Sequence, residues 1–507
     1  MVLYELHVGT FTPGGTFDSA VAELPRLREL GVTALEVMPV AQFPGRRNWG
    51  YDGVYPFAVQ DSYGGPEGLK RFVDAAHAHG LAVLLDVVYN HLGPEGCYFR
   101  DFGPYFTRSY RTPWGEPFNL DGPGSDAVRH YLLQNALWWQ EELHLDGLRL
   151  DAVPFIKDAS PEHFLAELAR VTHANAERLG RPFTLIGESD LNDPRLVRPA
   201  SVGGWGLDAA WSDDFHHSLH AYLTGERSGF YADHGALEDV AATLRDGYRL
   251  TGQYSRYRER RHGAPAPDVP GERFVLYTQN HDLVGNRPGS ARLSAQLSPR
   301  LLKVLAGLTL LTPYTPMLFM GEEYGELAPF PYFIDHGCPL LSEKVRKGRH
   351  AEYAASLGRS ELPDPASLET YLSARLDTSR ALHGAGRELH DWYRGLLRLR
   401  RECPVLSGSG REGLDARALE EEGALVARRR SHAGEVLLTA CLSQQPHTVT
   451  LDRASGAWSL TLASDSSVTW TCGPDGLRAD LPGQSFTVWS RITRASPTSQ
   501  AASSIGS

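Results

Sequence analysis

The chain has 507 residues, 42% of them hydrophobic, and carries 50 Lys and Arg against 61 Asp and Glu, a formal net charge of −11. That is enough apolar material for a full core and more than one domain, and the acidic balance argues against nucleic acid or an anionic membrane as the main partner. Five widely spaced cysteines (Cys97, Cys338, Cys403, Cys441 and Cys472) offer neither a disulfide framework nor a CxxC metal site, which fits a reducing compartment.

The first predicted strand is LYELHV at 3–8, followed by a helix at 17–30 with Phe17, Val21, Leu24, Leu27 and Leu30 on one face. TALEVMPV at 33–40 is the second strand. A helix around 68–79 leads to LAVLLDVVYNH at 81–91, apolar over most of its length, as a parallel strand buried on both faces should be. An aromatic-rich helix at 125–144 precedes DGLRLDAV, and a helix at 161–179 precedes PFTLIGESD. LDAAWSDDF, RFVLYTQNHD and TPMLFMGEEYG complete the set as strands six, seven and eight.

This alternation predicts an α/β protein, a (β/α)8 TIM barrel over 1–402. A small insertion after strand three is expected at about 92–121, and a further one at about 222–272. From 403 to 494 only short strands are predicted, in ALVARRR, EVLLTACL, TVTLDR, WSLTL, VTWTC and QSFTVW, which indicates a C-terminal antiparallel β-sandwich domain. Residues 495–507 form a polar, low-complexity tail expected to be disordered. The most apolar stretch, 301–320, contains Lys303, Pro313 and Pro316 and reads as a buried helix and strand rather than a membrane span. The opening MVLYELHVG has no basic segment followed by an apolar run, so a cytoplasmic location is expected.

Catalytic groups in such a barrel gather at the C-terminal ends of the strands. Those ends supply Asp86, Asn90 and His91, then Arg149 and Asp151, Glu188, Asp213 and Asp214, and His281 and Asp282. The loop after strand two adds Trp49, Tyr51 and Asp52. Carboxylates crowded with aromatics suit a sugar, whose apolar faces stack on rings while its hydroxyls take the polar groups. Arg149 and Asp151 lie two residues apart and so share a face, which keeps the Asp ionised as a nucleophile. Glu188 follows apolar Leu185 and Ile186, where burial and neighbouring negative charge favour the protonated form a general acid needs. One ionised Asp opposite one protonated Glu is the pair used in glycoside hydrolysis, and a separation of about 5–5.5 Å makes it a retaining pair.

Each feature taken alone has an ordinary structural reading. A strand-end Asp such as Asp86 can brace a loop, an Arg–Asp pair can be a plain ion pair, His216 and His217 can cap or face solvent, and Trp49 and Tyr51 can be core residues. The coincidence of five strand ends carrying one chemistry outweighs these.

DVVYNH at 86–91, GLRLDAV at 147–153, LIGESD at 185–190 and QNHDLVG at 279–285 resemble, in order, the four motifs of the α-amylase-like superfamily of glycoside hydrolases. The resemblance implies Asp151 as nucleophile, Glu188 as acid/base and Asp282 as the carboxylate stabilising the transition state. It also implies that His91, Arg149 and His281 hold the sugar, with Tyr51 stacked beneath it. Longer phrases, YELHVGTFTPGGTF, GESDLNDPR, NHDLVGNRPG, and MLFMGEEYGE followed by PFPYFIDH, resemble the malto-oligosyltrehalose trehalohydrolase family.

That resemblance implies a maltooligosyltrehalose or α-1,4-glucan substrate, cut next to its terminal trehalose. Asp52, Asp190, Asp213, Asp214, Phe215, His216, His217, Asn280 and Asn286 are then candidate subsite residues, and Phe330, Tyr332 and Phe333 candidates for gripping the leaving trehalose. Members of the family normally carry an N-terminal β-sandwich module, and this chain begins almost at strand one, which implies a module either lost or encoded upstream. Asn90 matches a calcium ligand of amylases, but no partner ligands are evident in the 92–121 insertion, so no metal and no cofactor is expected. A glycogen branching or debranching enzyme shares the same triad and remains the alternative. A catalytically dead barrel would be expected to lack one of Asp151, Glu188 and Asp282, and a metallohydrolase would need paired ligands that DVVYNH does not supply.

Overall fold

A computed structural model describes residues 1–353, 362–452, 458–474 and 476–492. The tail expected at 495–507 lies outside them. Eight parallel strands close into a barrel: β1 (Leu3–Leu6), β2 (Ala34–Val37), β3 (Ala82–Val87), β4 (Gly147–Leu150), β5 (Thr184–Gly187), β6 (Ala209–Trp211), β7 (Phe274–Leu276) and β8 (Thr315–Phe319). Each strand pairs with its sequence neighbours, and β1 closes the ring by pairing with both β2 and β8. All eight expected strands are present in the expected order.

The period-2 alternation of the strands builds the site. Leu3, Ala34, Leu84, Ile186, Ala209, Trp211, Val275 and Met317 pack together as one apolar layer inside the barrel. Two residues further along four of these strands, on the same face, stand Glu5, Glu36, Asp86 and Glu188, and Arg149 follows Gly147 in the same way. Register places Glu5 beside Glu36 and Asp86 beside Arg149. An apolar floor therefore carries a charged layer at the C-terminal end of the barrel.

The strands are shorter than the apolar runs that announced them. Asp151 and Glu188 lie just past the last ladder residues of β4 and β5, so their side chains belong to loops resting on the sheet. The helix expected at 17–30 is two helices, Phe17–Val21 and Leu24–Leu30, because Pro25 lacks the N–H a continuous helix needs and sits in the first turn of the second. The helix expected from 161 begins at Phe164, where the His163 ring accepts the Leu165 N–H at 3.2 Å.

The segment 92–121 holds one short helical turn (Phe99–Asp101) and two isolated bridges, Phe106 to Phe118 and Thr112 to Gly115. The segment 222–272 holds the helix Leu237–Asp246 and a two-stranded ribbon of Tyr254–Ser255 with Arg260–Arg261. Beyond the barrel lie a five-stranded and a three-stranded antiparallel sheet. Their shared core includes Leu437, Trp489, Leu451, Leu477 and Leu481. Two of these strands, Asp415–Leu419 and Gly476–Leu481, were not expected. DARAL and GLRADL interrupt their apolar residues with charges, and only the alternating burial of Leu477, Ala479 and Leu481 betrays the second.

The sheets seat against the barrel helix Pro299–Leu310. A Cβ at Gly307 would stand 2.5 Å from the Phe486 ring, so the bare glycine permits the contact. Buried Arg429 donates to the Leu311 and Leu406 carbonyls at 3.1 Å each. Among the described residues no helix is long and apolar enough to cross a membrane.

Candidate active site

Arg149 is the centre of the charged layer. Its side chain has no exposed surface, and its guanidinium lies 4.2 Å from the Trp211 ring centroid. Nη1 donates to both oxygens of Asp86, at 2.8 and 2.7 Å, and to Asp151 Oδ1 at 2.9 Å. Nη2 stands 2.9 Å from Glu188 Oε2, close enough for charge attraction but out of hydrogen-bond alignment. One guanidinium thus touches both carboxyls of the expected catalytic pair.

Asp151 is further fixed by Asn90, whose amide donates to Oδ2 at 2.7 Å and to the backbone carbonyl at 2.8 Å. Ala152 follows in the left-handed region, φ 42°, and its N–H donates to Glu188 Oε2 at 2.6 Å. A non-glycine residue held there is strained, and the strain aims a donor at the acid candidate. Burial pushes the Glu188 carboxyl well above its ordinary range, the charges of Asp151 and Asp282 add to this, and Arg149 only partly offsets them. Its side chain keeps 22% exposure, so the group sits deep in the mouth but open to it.

A relay of donors runs from Arg149 to the opposite wall. Asp86 Oδ2 also accepts the Tyr51 hydroxyl at 2.6 Å, and burial raises its pKa to about 6 despite Arg149. The Tyr51 oxygen lies 2.8 Å from His281 Nε2, with the two rings stacked at 5.3 Å. His281 Nδ1 pairs with Glu5, whose second oxygen accepts the His281 N–H at 3.0 Å. Burial disfavours the imidazolium, but Asp282 and Glu5 outweigh it and bring the pKa to about 9. His281 is therefore a cation at neutral pH, donating to Glu5 on one side and to Tyr51 on the other. Asp282 Oδ1 is 3.5 Å from the same ring and accepts the Asn286 amide at 2.7 Å.

Tyr51 reaches this position because Gly50 turns the chain at φ 111°, where a Cβ would stand 2.2 Å from the Pro39 carbonyl oxygen. Trp49 is buried, stacks on Phe330 at 5.2 Å, and donates to the Pro331 carbonyl at 3.0 Å. Asp52 accepts the Asn48 amide at 2.7 Å and lies 3.4 Å from the Tyr332 hydroxyl. His91 Nε2 lies 3.0 Å from the Tyr51 carbonyl, and its ring stacks on the exposed Trp114 at 5.3 Å.

Several expected subsite residues have structural work instead. Phe215, Phe330 and Phe333 have no exposed surface, so none meets a sugar directly; Phe330 backs Trp49. Asn280 caps the short helix His281–Gly285, accepting the Leu283 N–H at 2.8 Å. Asp214 is buried and accepts the Asn192 amide and the Arg249 and Leu250 N–H groups on a single oxygen. His216 is buried against the Thr278 carbonyl and the Tyr231 hydroxyl, with its pKa lowered by burial to about 3. His217 is buried too, lying parallel to Phe230 at 5.6 Å. Asp213 stays at the mouth, where Tyr277 donates to it at 2.5 Å and burial raises its pKa to about 7. Asp190 is held by Arg258 at 2.7 Å, which ties the 222–272 segment to the loop after β5.

Glu5, Glu36 and Trp114 were not anticipated. Glu5 and Glu36 carried a signal, a charge inside an otherwise apolar strand. Glu36 is sealed, burial drives its carboxyl well above the ordinary range, and the charge of Glu5 adds to this. Trp114 lies in a segment with no periodicity to mark it. Asn90, which matches a calcium ligand of amylases, is engaged here by protein: its amide nitrogen donates to Asp151 and its oxygen faces His91 Nδ1.

The family model for the α-amylase catalytic domain matches residues 9–114. The chain is 48% identical over 402 residues to the malto-oligosyltrehalose trehalohydrolase of Saccharolobus solfataricus, covering 79% of this chain and 69% of that protein. It is 50% identical over 406 residues to the enzyme of the same name from Arthrobacter ramosus, covering 80% and 71%. Among solved structures it is similar to a putative α-amylase from Salmonella typhimurium, with TM-score 0.86, 37% identity, and 97% and 82% of the two chains covered.

Proposed function

This chain belongs to the malto-oligosyltrehalose trehalohydrolase family, and from that premise we propose that it hydrolyses the α-1,4-glucosidic bond next to the terminal trehalose of maltooligosyltrehalose, with retention of configuration and release of trehalose. The observation that carries the reading is the single buried guanidinium of Arg149 touching Asp86, Asp151 and Glu188 at once, with Glu188 driven toward its protonated form.

Asp151 is the nucleophile. Asn90 and Arg149 donate to its two oxygens, which fixes the direction of attack. Its carboxylate bonds to the anomeric carbon as the glycosidic C–O bond breaks, and Glu188 passes its proton to the departing trehalose oxygen. Glu188, now a carboxylate, accepts a proton from water. The resulting hydroxide attacks the anomeric carbon, frees the maltooligosaccharide and returns both groups to their starting states. Asp282 faces the positive charge that develops on the sugar ring, with Asn286 and His281 holding its carboxylate. Tyr51 and His91 floor and flank the cleavage subsite, and Asp52, Asp190, Asp213, Tyr332 and Trp114 line the approaches.

The segment 1–402 is read as the catalytic unit and 403–494 as an accessory β-sandwich unit. A cytoplasmic location is consistent with five widely spaced cysteines. The test is a product assay. Chromatography of a digest of maltotriosyltrehalose should show trehalose as a main product, released much faster than any disaccharide from a plain maltooligosaccharide of equal length. Equal rates on both substrates, or transfer into α-1,6 linkages, would defeat the reading.

A further inference from the structure

Three buried side chains beside the mouth converge without satisfying one another. Asp214 and His217 stand one turn apart on the helix Asp213–Thr224 and so share a face, and His234 comes from the segment that follows. One ligand atom from each lies within 4.8 Å of the other two. Asp214 puts all three of its donors on Oδ2, which leaves Oδ1 pointing at His234 Nε2 across 3.9 Å, too far for a hydrogen bond. His234 Nδ1 is engaged by the Ser218 hydroxyl at 3.0 Å, which fixes the ring with Nε2 directed inward. The His217 ring is more than nine-tenths buried and forms no hydrogen bond with any described residue.

We propose that Asp214, His217 and His234 bind one divalent ion of the zinc class, which clamps the helix after β6 to the 222–272 segment at the edge of the mouth. Two imidazoles and one carboxylate are a borderline-soft ligand set; a hard calcium site would need six or more oxygens. Ligands about 2.0 Å from a tetrahedral ion lie roughly 3.3 Å apart, so binding draws the three atoms together by side-chain rotation. Their supports are already in place. Asn192 and two backbone N–H groups orient the carboxylate through its other oxygen, and Ser218 orients His234 through its other nitrogen. Burial holds His217 well below its usual range, with His216, His234 and Arg258 adding to it, and lowers His234 against the opposing pull of Asp214 and Asp239. The three side chains line one cavity of about 10 Å³, together with Asp190, Asp213 and Arg258. The site is structural in this reading. It stands whether or not the hydrolase assignment is right.

The test uses the full chain, stripped with a chelator and titrated with Zn2+ and Co2+ by calorimetry and visible absorption. One ion per chain is expected, with the intense visible bands of four-coordinate Co2+ and a Zn2+-dependent rise in Tm. His217→Gln and His234→Gln should each weaken binding at least about 100-fold and abolish the Tm rise, and Ser218→Ala should weaken it about tenfold. Circular dichroism of the metal-free variants checks their folding. Ser218→Ala keeps all three ligands and tests the site even if a ligand variant misfolds. No stoichiometric binding, or binding unchanged in all three variants and so located among the other histidines, would overturn the proposal.

Discussion

Around β1, β3 and β4 the mouth is built from full charges that answer one another. Glu5 and Asp282 flank a cationic His281, Tyr51 bridges it to Asp86, and Arg149 joins Asp86 to Asp151 and Glu188. Around the helix after β6 the buried groups are mostly imidazoles kept neutral: His216 falls to about 3, and His217 lies well below its ordinary range. Burial is similar on both sides; the difference lies in the partners. Strand register sets Asp86 beside Arg149, and Glu5 reaches His281, in the first region, whereas the second packs histidines against aromatic rings and one another. Burial alone makes a group neutral, and burial with a fixed counter-charge makes it reactive.

Substitutions can break this contrast in graded steps. Asp151→Asn should lower kcat by about 10^4-fold or more, read on maltotriosyltrehalose, with an unchanged circular dichroism spectrum. Arg149→Met should leave Asp86 and Asp151 buried without their cation and cost about 3–5 kcal/mol in urea unfolding. That loss should be larger at pH 8 than at pH 5, because Asp86 can take up a proton at the lower pH.

Glu5→Gln removes one of the charges that make His281 a cation. A fall in kcat of roughly tenfold to 100-fold is expected, with the His281 titration, followed by proton NMR, moving down from about 9. The raised pKa of His281 contributes stability that is fully present below about 6.5 and is lost as pH rises through about 9, so this variant should show a flatter alkaline stability curve. His216 gives the opposite sign on the other side of the mouth. Its lowered pKa has no effect above about 6.5, where the ring is neutral in both states, and stability should decline as pH falls from there toward 3. Asn286→Ala removes a single exposed donor to Asp282 and should cost less than about tenfold in kcat.

Much of this was legible in the sequence. The strands of a parallel barrel are buried on both faces, so runs such as AVLLDV stand out, and their ends mark the mouth. Asp151, Glu188, Arg149 and His281 followed from that rule and from two-residue periodicity. What escaped depends on packing across the barrel. Glu36 lies on a strand without a motif and Glu5 in the YELHVG phrase, which gave it no role, and their meaning comes from register with neighbours distant in the chain. Phe215 and Phe330 are aromatic residues near the mouth, but only the fold shows that they face inward. The charged strands DARAL and GLRADL escaped for the converse reason, since half of each faces solvent. Asp214 was read as a subsite residue because its motif neighbours the mouth, yet its donors turn it toward His234.

The central claim is that Asp151 and Glu188 act together as a retaining pair, and it is tested most directly on the newly formed reducing end. Proton NMR during rapid hydrolysis of maltotriosyltrehalose should show the α-anomer of the released maltotriose first, with the β-anomer growing in only by mutarotation. If the β-anomer appears first, water attacks the sugar directly, Asp151 forms no covalent intermediate, and the account is wrong.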